Sequence, residues 1–284
     1  MISRLLVIAG SGTYPLELIR GAKRAGVETV DVMAVKGSCS WRTRHAADRV
    51  VFAFGAGEPD VAIRWASDKG YDGAVFAGQV NPLSLFSGAF TPTARAWLSE
   101  MPVKNAHTIF GKLVREFEKA GVRMLPASIY LDRCLPGIGA LTNRALTEAE
   151  VEDVRRARQV AEDVGRHDVG QTVLVKSGMV MAVEAFEGTN AAIRRAGRLG
   201  KGSVLFKAAR EGHDWRFDIP VVGLKTLKTM KRAGVRALAF QAGRLVLLDR
   251  EAVVDYANRQ AIAIVGIDSG LPPAPTSPSQ TYDV

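Results

Sequence analysis

The chain has 284 residues, 47% of them hydrophobic, with a formal net charge of +9. That is enough apolar sequence for two modest folded domains, and it excludes a disordered or low-complexity chain. The positive balance suits a phosphorylated substrate, an anionic membrane face or nucleic acid, but the cations form no consecutive block and aromatics are only 7%, which argues against nucleic acid and its need for stacking platforms.

The chain opens with a buried-strand pattern at 5–9. This runs into Gly10-Ser-Gly-Thr-Tyr-Pro15 and a helix over 16–25. A strand, a glycine loop and a helix begin a Rossmann-like domain. Gly10, Ser11 and Gly12 are therefore candidate diphosphate-binding residues; the plain alternative is a tight turn. Pro15 stands where a dinucleotide loop has its third glycine, and the next strand, 29–35, ends in Lys36-Gly-Ser38 without an acid for a ribose hydroxyl. Asp31 lies too early, inside the strand. Both features argue against a nicotinamide cofactor. A third strand follows at 49–54, a helix at 60–69 and a fourth strand at 73–77. The fourth strand ends in Gly78-Gln79-Val80-Asn81-Pro82, so Gly78 and Gln79 sit where open α/β sheets take ligands. Residues 86–102 carry no clear pattern. Asn105 and His107 lead a helix to about 120, and 122–125 reads as a strand. The opening apolar run is too short for a membrane span and lacks a signal-peptide layout, so the expected location is cytoplasmic. Cys39 and Cys134 match no metal spacing and suit a reducing compartment.

The boundary falls at Gly137-Ile-Gly139. Domains are expected at 1–137 and 147–268, with a linker at 138–146 and a flexible tail, rich in Pro, Ser and Thr, at 269–284. Thr147-Glu-Ala-Glu150 is a capping box that starts a helix to about 164. After Asp168-Val-Gly-Gln-Thr172, two apolar runs, 173–175 and 179–183, flank Ser177-Gly178 and form a hairpin. The second run leads into Glu184, Glu187, Gly188 and Thr189, and then into a helix carrying Arg194, Arg195 and Arg198. Backbone N–H groups at such a helix start favour an anion; Thr189 either caps the helix or donates to a phosphate. Lys207 ends the strand 203–207. Arg216 and Asp218 flank Phe217, and in an extended segment alternation puts both on one side, either as an ion pair or as a phosphate and metal or water site. A helix at 224–233, a hairpin of 237–240 with 245–248, a helix capped by Asp249 and a strand at 261–265 complete the expected order.

These motifs, in this order, carry a resemblance. Gly10-Ser-Gly-Thr-Tyr-Pro15, Ala77-Gly78, Asp168-Val-Gly-Gln-Thr172, Ala182-Val-Glu-Ala-Phe-Glu-Gly-Thr189, Arg216-Phe-Asp-Ile-Pro220 with Gly223, and Leu248-Asp-Arg250 resemble the two-domain UDP-2,3-diacylglucosamine diphosphatases of lipid A biosynthesis. That family is distinct from the calcineurin-like phosphoesterases that perform the same step. The resemblance implies an α/β fold, a Rossmann-like parallel-sheet domain plus a mixed α/β domain with a ligand cleft between them. It implies hydrolysis to UMP and 2,3-diacylglucosamine 1-phosphate (lipid X), with Mg²⁺ as cofactor. Asp218 matches the family's essential aspartate; Asp218 and Glu187, with Glu184 as the other assisting carboxylate, are the candidate catalytic and metal residues. Gly10, Ser11, Gly12, Gly78, Gln79, Gln171, Glu184, Gly188, Thr189, Lys207 and Arg216 are the candidate substrate-binding residues. The implied partners are the acylated nucleotide-sugar and, transiently, the inner face of the inner membrane, with a homodimer allowed for and no nucleic acid. The family usually carries an acidic pair where this chain has Asn105 and His107. The alternatives are a nucleotide-sugar or lipid-binding protein without catalysis, and an NAD-dependent oxidoreductase, which Pro15 speaks against.

Overall fold

The structure, a computed structural model, describes residues 2–79, 90–103, 105–209, 212–278 and 280. The Val80-Asn81-Pro82 continuation of the fourth-strand loop, residues 86–89 of the stretch without clear pattern and the last four residues of the expected tail lie outside these. The chain divides into two compact units, Met1–Leu131 with Asp214–Asp218 and Pro275–Asp283, and Asp132–His213 with Ile219–Ala274.

In the first unit β1 (Arg4–Ala9), β2 (Thr29–Val35), β3 (Arg49–Phe54) and β4 (Gly73–Ala77) alternate with α1 (Tyr14–Arg24), α2 (Trp41–Ala46) and α3 (Pro59–Ser67). All pairings are parallel and the strand order is β3-β2-β1-β4. A parallel strand between two neighbours is covered on both faces, so it is apolar throughout rather than alternating; Leu5, Leu6, Val7, Ile8 and Ala9 are all buried. Leu6, Ile8 and Met33 pack with Ile63 of α3 and with Val114 and Phe117 of a later helix, α5 (Ala106–Lys119). Asp31 is fully buried in β2, where Arg49 donates to both its oxygens at 3.2 and 2.9 Å and Tyr71 donates at 2.8 Å. Its role is structural. The stretch without clear pattern contains α4 (Pro92–Glu100), capped by the Thr91 side chain. The expected strand at 122–125 is a single bridge, Ala74 to Met124.

The second unit has a six-stranded mixed sheet in the order β5-β12-β10-β8-β6-β7. Its strands are β5 (Gly139–Ala140), β6 (Thr172–Lys176), β7 (Met179–Val183), β8 (Val204–Lys207), β10 (Ala237–Gln241) and β12 (Ala263–Ile267). The strands β8, β10 and β12 are parallel, while β6 runs against β8 and against β7. One face is covered by α6 (Glu148–Gly165), whose Val154, Ala157 and Ala161 meet Val173, Val175 and Phe206. The other is covered by α7 (Thr189–Leu199), α8 (Leu224–Ala233) and α9 (Arg250–Arg259), through Ile193, Leu227, Met230 and Val253 against Leu174, Leu205, Leu238 and Ile264.

The local signals hold. The Thr147–Glu150 capping box is formed. Ser177 and Gly178 take positive φ at the hairpin turn, and their N–H groups donate to the Asp153 carboxylate at 2.9 and 2.7 Å. The second expected hairpin does not form, because both edges of β10 are occupied by β8 and β12. Residues 246–247 instead form β11, parallel to β9 (Val221–Val222). Asp249 stands at the start of α9 with φ 50° and makes no side-chain cap. The last strand is shifted to 263–267, since Ala261 has φ 50°. Part of the expected tail is tied down. Within the second unit Ala274 N–H donates to Gly243 O and Arg244 to Pro272 O; within the first, Tyr130 N–H donates to Thr276 O and Arg123 to Pro278 O.

The loops leaving β1 and β4 lock together at the point where the strand order reverses. Gly10 N–H donates to Ala77 O at 2.8 Å, Ser11 N–H to Gln79 O at 2.7 Å and Gln79 N–H to Ser11 O at 3.0 Å. Gly78 has φ +91°, and a Cβ there would lie 2.5 Å from Ser11 O. Gly12 has φ +93° but open space around it. Both positions strain an L-residue, and only Gly78 adds a collision. Gly78→Ala should therefore cost at least about 1 kcal/mol more stability than Gly12→Ala, measured by urea denaturation; equal costs would remove the locked-loop account.

Candidate functional site

The antiparallel register of β6 with β8 sets Lys207 opposite Thr172. Lys207 is 5% exposed. An ammonium taken this far from water needs partners, and three are in place. Its Nζ donates to Thr189 Oγ1 at 2.9 Å and to Thr172 Oγ1 at 3.2 Å, and lies 3.6 Å from Glu184 Oε2. The last is an ionic contact rather than a hydrogen bond. The Thr189 hydroxyl in turn donates to Glu184 Oε1 at 2.8 Å. Burial pushes the Glu184 carboxyl up, but the Lys207 ammonium and the neighbouring threonine hydroxyls outweigh it and hold the group below its ordinary value. Glu184 Oε2 has no hydrogen-bond donor among the described residues, so it is the oxygen with accepting capacity to spare. Gly170 completes the packing, since a Cβ there would lie 2.1 Å from Glu184 O.

Thr189 is thus not the cap of α7. Gly188 occupies that position with φ +79° and offers no side chain, and Thr189 is the first helical residue. Glu187 lies apart from the buried cluster. Arg195 donates to its carboxylate at 2.5 Å and to Val183 O at 2.7 Å. The Arg195 hydrogen bond holds the Glu187 carboxyl below its usual range. Gln171 accepts the Ala208 N–H at 2.9 Å through its carbonyl. With Gly170, Ala208, Ala209 and the C-terminal end of α6, it lines a cleft of about 280 Å³ at the carboxyl edge of β8 and β10. Gln241, in the same cleft, is 4% exposed and its Oε1 accepts from Ala209 N–H at 2.8 Å. Gln241 is not among the candidate residues of the sequence. The signal was there, a lone amide at the carboxyl end of an apolar strand, the same one that singled out Gln79.

In the first unit the candidates Gly10, Ser11, Gly78 and Gln79 come together, but mostly to satisfy one another. The Ser11 N–H and hydroxyl both donate to Gln79 O, which supports the tight-turn alternative. The segment 214–218 belongs to this unit. It is a turn rather than an extended strand, with Asp218 N–H donating to Asp214 O at 3.1 Å. The alternation argument for Arg216 and Asp218 therefore fails. Arg216 is clamped, through Nε and Nη2 on Asp214 at 2.9 and 2.8 Å and through Nη1 on Glu118 at 3.1 and 3.2 Å. A phosphate would have to displace those carboxylates. Asp218 is half-buried. Its neighbour Phe217 stacks on Phe110 and tilts against His107 on α5, and Asn105 caps that helix through the Thr108 N–H. His107 and Asn105 therefore belong to the surroundings of the Asp218 segment. Among the described residues no group of three or more His, Cys, Asp or Glu gathers as a metal cage.

Two family models match the chain in succession, the LpxI N-terminal domain over residues 4–134 and the LpxI C-terminal domain over 137–265. A curated relative, the UDP-2,3-diacylglucosamine pyrophosphatase LpxI of Caulobacter vibrioides, is 30% identical over 285 aligned positions, covering 93% of this chain and 98% of the relative. The similarity runs through both units and through every segment that carries a candidate residue, so the chain belongs to the LpxI family.

Proposed function

We propose that this protein hydrolyses the diphosphate of UDP-2,3-diacylglucosamine, releasing UMP and 2,3-diacylglucosamine 1-phosphate. The observation that carries this reading is the end-to-end similarity to a pyrophosphatase named for that substrate. In the cleavage, a water oxygen bonds to one phosphorus and the bridging P–O bond breaks towards the other. Negative charge is spread over the phosphoryl oxygens and must be met by fixed donors and cations.

Asp218 is assigned the reacting carboxylate. Mg²⁺ is the proposed cofactor, and when bound it neutralises charge on the phosphoryl oxygens. Such an ion keeps several waters and takes one or two carboxylates together with phosphate oxygens. A single carboxylate such as Asp218 fits that demand. Glu187, in the second unit, would have to give up Arg195 to take a metal. Lys207 is a positioning residue in this reading: it holds Thr189 and Glu184, and through them the start of α7, whose N–H groups suit a phosphate. Gly188, Gln171 and the spare oxygen of Glu184 complete that edge. We place the enzyme on the cytoplasmic side, where the two acyl chains of its substrate, which belong in a bilayer, would bring it into peripheral contact with the inner membrane. No described helix is long and apolar enough to cross a membrane.

Incubation with UDP-2,3-diacylglucosamine, with and without Mg²⁺, should yield UMP only when Mg²⁺ is present; tight binding without UMP release would favour the non-catalytic reading. Asp218→Ala should lose at least about 100-fold in kcat with little change in KM, and near-normal turnover would remove Asp218 from the chemistry. Lys207→Met should destabilise the protein by about 3 kcal/mol at about pH 8. The lowered carboxyl of Glu184 contributes stability above its ordinary value that is lost as pH falls through its folded value. Without Lys207 the shift reverses and the stranded carboxyl takes up a proton, so the gap between the two proteins should narrow at about pH 5. Urea denaturation at both pH values checks this; a constant gap would mean that the pair is not electrostatically coupled.

A further inference from the structure

The cations of this chain are not spread evenly over its surface. The neighbouring helices α7 and α8 carry Arg194, Arg195, Arg198, Lys225, Lys228, Lys231 and Arg232 and no acidic residue. These seven positive charges compare with a net charge of +9 for the whole chain. The two helices lie side by side, Gly197 against Ala233, and Gly202 N–H donates to Gly234 O just past their ends. Their apolar stripes are buried and all seven cations are exposed. Only Arg195 has an ion-pair partner among the described residues, Glu187. On α6, across the sheet, the pattern is the ordinary one, with Arg155 on Glu152 and Arg158 on Glu162. The basic face also has apolar ends. Phe186, just before α7, is 77% exposed and Leu199, its last residue, 66%.

We propose that the outer face of α7 and α8 seats the second unit on an anionic phospholipid surface. The proposal gives a surface to the membrane contact included in the function above, and rests on that reading for its biological setting. Unpaired cations are drawn to the negative potential of such a surface, each worth about fivefold in partitioning. Exposed Phe and Leu side chains at the ends of a basic face enter the headgroup boundary, as in interfacial helices. Nucleic acid would favour aromatic platforms between the cations, and neither α7 nor α8 contains an aromatic residue. Because α7 starts at the Lys207–Glu184 cluster, a bilayer on this face lies beside the proposed phosphate edge.

Co-sedimentation of the full chain with vesicles tests this without substrate. The protein should bind phosphatidylcholine vesicles containing phosphatidylglycerol, bind pure phosphatidylcholine vesicles at least tenfold more weakly, and be released by salt. The triple variant Arg194→Gln, Arg198→Gln, Lys228→Gln should lose at least tenfold in anionic-vesicle binding. A variant with the same charge removed elsewhere, Arg20→Gln, Arg155→Gln, Arg156→Gln, should keep most of it. Equal loss in both triple variants would reduce the effect to net charge and overturn the proposal, as would unchanged binding by the first, or binding of polyuridylate in preference to anionic vesicles. UMP release from detergent-dispersed substrate should be unchanged in the Arg194/Arg198/Lys228 variant, so vesicle binding can fail while the hydrolysis reading stands.

Discussion

Removing the ammonium of Lys207 from water is the constraint on which the second unit is built. A buried cation without partners would cost several kcal/mol, and pairing it well demands side chains from separate parts of the chain. Thr172 comes from the first residue of β6, Glu184 from the loop after β7 and Thr189 from the first turn of α7. Meeting these demands together fixes the register of β6 on β8 and the path of residues 184–188. It also explains Gly170, since the Glu184 backbone must come close enough for its carboxylate to reach the cluster. One charge at a strand end thus organises three elements.

The two sheets solve the same problem at their carboxyl edges by different means. In the first unit the loops after β1 and β4 exchange main-chain hydrogen bonds, so the Gly10 and Ser11 N–H groups and the Ser11 hydroxyl are used within the fold. In the second unit side chains satisfy one another around Lys207, a carboxylate oxygen of Glu184 retains capacity, and Gln171 and Gln241 line a cleft at the carboxyl edge of β8 and β10. Glycine loops at strand ends are thus poor evidence for a ligand on their own. What distinguishes an edge able to bind is polar capacity left over once the local backbone has been satisfied.

The sequence was legible where the physics is local. The capping box at Thr147, the Ser177-Gly178 turn and the apolar β1 are each decided by residues within a few positions of one another, and each stands where it was expected. Where partners come from far along the chain, local pattern failed. The 237–248 segment looked like a hairpin because two apolar runs flank Ala242-Gly243, yet β10 is claimed on both sides by strands that no neighbouring residue specifies. Arg216 and Asp218 looked like an alternating pair because the turn at 215–217 and the clamp from Glu118 are tertiary facts. The basic residues of α7 and α8 are each visible in the sequence, but their joining in one face is not, because 24 residues separate two helices that lie side by side.

That concentration divides the cations of this chain by what each can act on. The Lys207 charge is cancelled within its own cluster, because Glu184 stays ionised beside it. Arg216 is likewise cancelled by Asp214 and Glu118. The strand-end cations that the sequence offered as phosphate ligands therefore contribute little net attraction for an anionic diphosphate. The field that remains at the phosphate edge comes from the start of α7, where backbone dipoles add; the uncancelled arginines and lysines on the outer face of α7 and α8 are left for a partner outside the fold. Positive potential outside a fold is screened within about 10 Å at 0.1 M salt, so it acts on what lies against those helices. The division is between cations that hold the fold together and cations left to face an anionic partner, and only the second kind can draw that partner in.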